Sequence, residues 1–302
     1  MALPDRVAGA VERTPLVFGT APLATGFWGN DEATAVAAAV EGIDRGIAWF
    51  DTAPLYGAGE SERRLGAALA ARAGADVVVS TKVGRPVVIG DSGPEAGFDY
   101  SASGTRRSLE DSLTRLGRDH VDIAHVHDPD DHLDVALDEC FPALADLRAE
   151  GMIGAVSVGT MVCATALRVL AEAGPDLVMI ANRLTLLDRS ALDELAPACA
   201  AAGVPLVEAA PFNSGLLART VPGSWFDYAP ADAALLRRAQ AMHARCDDAG
   251  VSLRAAALQY PLRHDPVVAV VAGMASAAEV AENVELVTAP IPADLWTALE
   301  AI

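Results

Sequence analysis

Lysine is nearly missing from this chain: Lys82 is the only one, and arginine supplies the rest of the 22 basic side chains. Arginine serves a solvated surface as well as lysine does. An arginine-biased sequence therefore keeps a lysine where the chemistry needs a compact ammonium with a responsive pKa. Cysteine is scarce too. Cys140, Cys163, Cys199 and Cys246 lie far apart in helix-like stretches and none forms a Cys-x-x-Cys pair, which argues against a zinc site or a disulfide framework. Long apolar runs are absent: residues 267–272 form a strand-sized run, well short of the roughly 20 residues that span a bilayer. The opening Met-Ala-Leu-Pro-Asp-Arg has neither the basic stretch nor the apolar region of a secretory signal, so a soluble, cytoplasmic protein is expected. Positive charge is outnumbered, with a net charge of −19 and a pI near 4.5, which disfavours nucleic acid and anionic membrane surfaces as partners.

What is present is an alternation. Short apolar runs predict strands over 16–21, 48–53, 76–82, 122–128, 153–159, 177–182, 205–211 and 267–273. Between them, amphipathic stretches predict helices over 31–45, 59–72, 103–116, 133–150, 162–173, 189–201 and 231–249, and two more follow over 276–286 and 293–301. In the 133–150 stretch Leu133, Leu137, Cys140, Leu144 and Leu147 recur at three- and four-residue steps and make one stripe. Asp31 is placed as an N-cap, and Gly46 and Gly174 follow their helices as stops. Eight strand-to-helix units without a composition break predict a single-domain α/β protein, a (β/α)8 TIM barrel over 1–302. An open doubly wound sheet would carry Gly-x-Gly-x-x-Gly after its first strand, and Gly19-Thr-Ala-Pro-Leu-Ala is not that motif. The Gly- and Pro-rich stretch 85–100 is too long for an ordinary connection, and it and 212–230 are expected to be active-site loops.

In a parallel barrel the functional groups collect at the carboxyl ends of the strands. Asp51 ends the second strand in Trp49-Phe-Asp-Thr-Ala-Pro-Leu-Tyr-Gly, and Tyr56 follows in its loop. Lys82 ends the third, and His127 ends the fourth in Asp122-Ile-Ala-His-Val-His-Asp-Pro. Strand alternation puts Trp49 with Asp51, Ser80 with Lys82, and His125 with His127 on common faces. A phenol near its reference pKa of about 10 exchanges protons poorly at neutrality. A nearby ammonium favours the phenolate, and a carboxylate beside the ammonium keeps it charged and fixed. The set contains no strong nucleophile, so the expected step is proton transfer coupled to hydride transfer with a bound cofactor.

These residues resemble the aldo-keto reductase superfamily along essentially the whole chain. Phe50-Asp-Thr-Ala-Pro-Leu-Tyr-Gly with Ser61-Glu-Arg-Arg-Leu-Gly looks like its signature, Ser80-Thr-Lys82 like its lysine strand, and Asp122-x-x-x-x-His127 like its histidine strand. The resemblance implies a catalytic tetrad of Asp51, Tyr56, Lys82 and His127, with Tyr56 the general acid in reduction and the base in oxidation. It also implies NAD or NADP, with nicotinamide across the barrel mouth near Gly19 and Thr20 and further contacts at Gly159, Thr160, Asn182, Phe212, Ser214, Gly215 and Leu217. The family's adenosine end maps to Gly273, Glu279, Glu282 and Asn283. Glu279 falls where an arginine would hold a 2′-phosphate, so NAD is favoured.

The sequence departs from the family where Gly159-Thr160 replaces Ser-Asn, Ala181 stands for the sixth-strand Gln, and Ala209 for the stacking Tyr. The segments His127-Asp-Pro-Asp-Asp-His132, Arg183-Leu-Thr-Leu-Leu187 and Pro211-Phe-Asn-Ser-Gly215 look most like the bacterial D-threo-aldose (L-fucose) 1-dehydrogenase and pyridoxal 4-dehydrogenase group. That implies oxidation of an aldose at C1 to a lactone. Substrate contacts are then expected at Trp28, His125, Asp128, His132 and Trp225, with Tyr228 beside them. A broad-specificity aldehyde or ketone reductase is the alternative within the superfamily. Outside it stand a cofactor-binding protein with vestigial chemistry and a metal-dependent barrel hydrolase. His125-x-His127 suggests the hydrolase, but strands five to eight contain no further histidine, and no metal site is expected.

Overall fold

The structure is a computed structural model that describes residues 3–25, 30–90, 93–218, 225–227 and 229–302, with backbone alone for 89–90 and 93–96. Eight parallel strands close on themselves: β1 (Leu16–Gly19), β2 (Trp49–Asp51), β3 (Val78–Val83), β4 (Val121–His127), β5 (Ile153–Thr160), β6 (Leu177–Ala181), β7 (Leu206–Ala209) and β8 (Val267–Gly273). Each neighbours the next in sequence, and β1 pairs with both β2 and β8. This is the (β/α)8 barrel expected from the strand-to-helix alternation.

Helices wrap the barrel: α2 (Glu32–Asp44), α3 (Glu60–Ala71), α4 (Ala102–Leu116), α5 (Phe141–Ala149), α6 (Cys163–Glu172), α7 (Leu195–Ala202), α8 (Ala233–Asp248), α9 (Leu253–Gln259), α10 (Ala277–Leu286) and α11 (Ala293–Glu300), preceded by α1 (Asp5–Arg13). Their starts follow capping chemistry. Asp31, Ser101 and Asp232 each accept a bond from a backbone N–H in the first turn of α2, α4 and α8, which satisfies donors the helix cannot pair internally. Among the described residues no helix is long and apolar enough to cross a membrane.

Two cores follow from the two-residue period of the strands. Outward residues such as Phe18, Phe50, Val79, Val126 and Val158 pack under the helices. Inward residues Val17, Trp49, Val78, Ile123, Leu177, Met179, Val207 and Val271 fill the barrel's lower half. The first helix closes the bottom by adding Val7 and Ala10 to this inner cluster, while Arg6 donates to Asp122 Oδ1 at 2.7 Å and to the Val77 carbonyl at 3.0 Å. The next inward residues upward are small or polar: Gly19, Asp51, Ser80, Lys82, His125, His127, Ser157, Gly159, Ala181, Ala209 and Gly273. That change of character opens the mouth.

Several elements differ from the expectation. The α1 helix and α9 were not anticipated, and the stretch 189–201 begins as a single 3-10 turn, Ser190–Leu192, before α7. The stretch expected as an irregular loop over 85–100 contains an antiparallel hairpin, Val87–Gly90 with Gly93–Ala96, and a second small hairpin joins Trp225–Phe226 to Ala229–Pro230. Trp28 and Tyr228 lie outside the described residues.

Candidate active site

The register across β2, β3, β4 and β5 determines which side chains meet. Asp51 is opposite Ser80, Lys82 is opposite His125, and His127 is opposite Gly159. All of the charged members are buried. Lys82 Nζ donates to Asp51 Oδ2 at 2.5 Å and to the Thr52 carbonyl at 2.8 Å. Ser80 Oγ donates to Asp51 Oδ1 at 2.7 Å, and Trp49 Nε1 donates to Ser80 Oγ at 2.9 Å. The carboxylate is thus fixed at both oxygens, and the ammonium has no freedom to swing away. The Tyr56 ring stands above it, with Nζ 5.0 Å from the ring centroid. The Tyr56 and His127 rings lie nearly perpendicular, at 86°, with centroids 6.1 Å apart.

Electrostatics follow from this geometry. Burial alone would lower the Lys82 pKa, but the Asp51 carboxylate and then Tyr56 outweigh it and carry the ammonium above its ordinary value. Burial lowers both histidines: His125 falls to about 3, and His127, with the Lys82 and Arg85 charges adding to the effect, lies well below the ordinary value. His127 is therefore a neutral imidazole near pH 7. Its Nδ1 is buried without a hydrogen-bond partner among the described residues. His125 lies deeper, fully buried with Nε2 3.6 Å from Asp51 Oδ1. Among the described residues no three His, Cys, Asp or Glu side chains gather as a metal site.

The model of the aldo/keto reductase family matches residues 15–302. The chain belongs to the aldo-keto reductase family. It is 39% identical to D-threo-aldose 1-dehydrogenase of a Pseudomonas species over 89% of this chain and 87% of that protein. It is 36% identical to pyridoxal 4-dehydrogenase of Microbacterium luteolum over 95% of this chain and 93% of that one. Among solved structures, the holo form of an aldo-keto reductase from Bacillus halodurans superposes with a TM-score of 0.81 at 28% identity, covering 95% of this chain and 91% of that one. The protein is an oxidoreductase of the NAD(P)-using aldo-keto reductase type.

The rim where the family resemblance puts the cofactor's far end contains polar groups suited to a dinucleotide. Asn213 Oδ1 and Asn283 Nδ2 are buried without partners among the described residues. Asn213, Ser214 and Gly215 take φ of 46°, 57° and 89°, a left-handed turn beside Phe212 at the mouth. Ser214 is exposed. Glu279 accepts the Ala275 N–H at 2.7 Å just beyond β8, and Gly273 lies in the same rim. Other expected contacts are already engaged. Thr20 Oγ1 donates to the Asp51 carbonyl at 2.9 Å, Thr160 Oγ1 donates to Asp130 Oδ1 at 2.8 Å, and Leu217 is fully buried. Asn182 Oδ1 receives Asn213 Nδ2 at 3.5 Å.

Of the expected substrate contacts, Asp128, His132 and Trp225 are partly or well exposed, whereas His125 has no exposed surface. His132 lies against the Phe98 and Tyr100 rings, with centroids 5.2 and 5.5 Å away.

Several residues of the site, Asn213 among them, were not singled out from sequence. Ser80 anchors Asp51, and strand alternation with Lys82 was its signal. Arg85 donates to Asp128 Oδ2 at 2.8 Å. Arg254 ion-pairs with Glu282, donates to Asn283 Oδ1 at 2.7 Å, and stands 5.6 Å from the Phe212 ring centroid. Neither arginine belongs to a motif that marks it in one dimension.

Proposed function

We propose that this aldo-keto reductase oxidises the C1 hydroxyl of an aldose, of the L-fucose or D-threo-aldose type, to the lactone. NAD is preferred and NADP tolerated. The observation that carries the proposal is the fixed Asp51–Lys82 pair beneath Tyr56, with Nζ 5.0 Å from the phenol ring centroid. The relative at 39% identity supports the substrate class.

When bound, nicotinamide adenine dinucleotide supplies the hydride acceptor. Tyr56 takes the proton of the lactol hydroxyl as the C1–H electron pair departs, and the C1–O bond becomes a carbonyl. The Lys82 ammonium stabilises the phenolate that Tyr56 needs for this, and Asp51 holds the ammonium in place. Neutral His127 orients the reacting oxygen by hydrogen bonding without contributing a charge. In the reverse direction Tyr56 returns the proton.

The relative at 36% identity supports a second reading, in which the lactol is the cyclic hemiacetal of pyridoxal. Nucleotide reduction followed at 340 nm over a panel of aldoses, pyridoxal and short aldehydes separates these readings. Turnover of pyridoxal alone, or of aldehydes alone in the reductive direction, would overturn the aldose proposal. Km measured for both nucleotides tests the cofactor preference, and a marked NADP preference refutes it.

A further inference from the structure

One ion pair at the mouth is used by nothing in the proton-transfer device. Asp128 follows His127 directly and has φ +43°, a left-handed backbone that costs a non-glycine residue free energy, though less for aspartate than for most. Its backbone is held there from two sides. The N–H donates to the Gly159 carbonyl at 2.8 Å, and the Tyr100 hydroxyl donates to the carbonyls of His127 and Asp128 at 2.7 and 2.9 Å. The consequence is a carboxylate aimed across the top of β4. Asp128 Oδ2 lies 3.6 Å from His127 Nε2 and 2.8 Å from Arg85 Nη1.

Arg85 is itself confined. Its guanidinium stands 5.1 Å from the Phe98 ring centroid, and its Nε is buried without a partner among the described residues. Burial raises the Asp128 pKa while the Arg85 charge pulls it down, with Asp130 and Lys82 the other charges that face it.

With the reacting oxygen bonded to the His127 imidazole, the α-carbon of the substrate lies two bonds from that oxygen, within reach of a carboxylate whose Oδ2 is 3.6 Å from His127 Nε2. An unsubstituted aldehyde would offer Asp128 only hydrogens bonded to carbon, and it would desolvate a charge without replacing its hydrogen bonds, a costly exchange. A hydroxyl on that carbon donates to Asp128, and its oxygen can accept from Arg85. The geometry points to Asp128 and Arg85 as the pair that reads the hydroxyl vicinal to the reacting carbon, making α-hydroxylated substrates the selected class. This rests on the aldose reading and narrows it.

Matched substrates test the inference: L-fucose against 2-deoxy-L-fucose in oxidation, and glyceraldehyde against propanal in reduction. The wild type is expected to favour the hydroxylated member by at least about 30-fold in kcat/KM, the scale of a charge-assisted hydrogen bond. Asp128→Asn and, separately, Arg85→Gln are expected to bring the kcat/KM ratio within each pair to less than about threefold, by slowing the hydroxylated member, by speeding the other, or both. Equal losses on both members of a pair would mean that the ion pair only holds the loop, and would overturn the inference. So would a wild type that does not discriminate. If the wild type turns over no aldose yet reduces aldehydes, the sugar proposal fails by itself, and the glyceraldehyde–propanal pair still decides the role of Asp128 and Arg85.

Discussion

His125 and His127 are two residues apart on one strand face, and depth alone separates them. His127 reaches the mouth beside Tyr56, whereas His125 sits one layer below against Asp51. Both are neutral when folded because burial penalises the imidazolium. An unfolded histidine titrates near 6.5, so below that pH the unfolded chain binds protons that the folded one refuses, and stability falls with pH by roughly 1.4 kcal/mol per unit for each group. For His125 that loss runs from about pH 6.5 down to about 3. Acid unfolding followed by circular dichroism should therefore begin higher in the wild type than in His125→Gln, and coincident transitions would refute this. At the same scale, Tyr56→Phe is expected to lose turnover by about 10²-fold or more while keeping the wild-type melting temperature. Lys82→Met should act likewise and move the rising limb of the pH–rate profile for oxidation to higher pH, because the ammonium that favours the phenolate is gone. A Lys82→Met profile with the wild-type limb would detach Lys82 from the phenol. The sequence disclosed the identity of these groups because each ends or follows a strand. It did not disclose depth, which depends on how far each strand rises in the closed barrel, and so His125 read as a substrate contact.

At the level of elements, the mouth depends on a fit between a turn and a ring. Gly84 follows β3 with φ +92°, and a Cβ there would lie 2.2 Å from Tyr100 Cε1. The close approach lets Tyr100 reach over to the carbonyls that end β4, so the turn after one strand sets the height of the next strand's end. Gly84→Ala is expected to cost about 2–4 kcal/mol from strain at positive φ plus overpacking, read as a lower urea midpoint, with KM raised through the displaced His127–Asp128 segment. An unchanged midpoint would show that the ring moves freely. Elements were legible where a long run showed one period, as in the Leu133 to Leu147 stripe, although its middle, Ala136–Cys140, winds as a π-helix between Leu133–Val135 and Phe141–Ala149. The short ones were not. The first helix has nine residues: Val7, Ala10 and Val11 recur at helical steps, but over too few turns to stand out, and the helix is held by tertiary contacts of Val7, Ala10 and Arg6. The 87–96 hairpin is built from Gly, Pro and a brief apolar run that reads as loop.

Over the whole molecule, eight strand ends bring distant segments to one rim, and the proposed nucleotide preference rests on charges from its far side. Glu279 stands where the family resemblance places the arginine that would hold a 2′-phosphate, and its carboxylate accepts the Ala275 N–H at 2.7 Å. The nearby cation, Arg254, is already neutralised by Glu282 and bonded to Asn283. An NADP 2′-phosphate would thus meet a fixed negative charge and an occupied arginine. A unit charge a few ångströms from the phosphate, in partly screened surroundings, is worth about 1–2 kcal/mol. Glu279→Gln removes the charge while keeping an oxygen to accept the Ala275 N–H. It should tighten NADP binding about tenfold and leave NAD binding within about threefold. A Tyr56→Phe background separates binding from turnover: a nucleotide at 100 times its Kd stabilises the fold by about 2.7 kcal/mol, a shift of several degrees in melting temperature. NAD should give the larger shift with Glu279 present, and the gap should close in Glu279→Gln. Equal shifts with Glu279 in place would mean that the rim charges do not select the nucleotide, and that NAD preference must come from elsewhere along the bound chain.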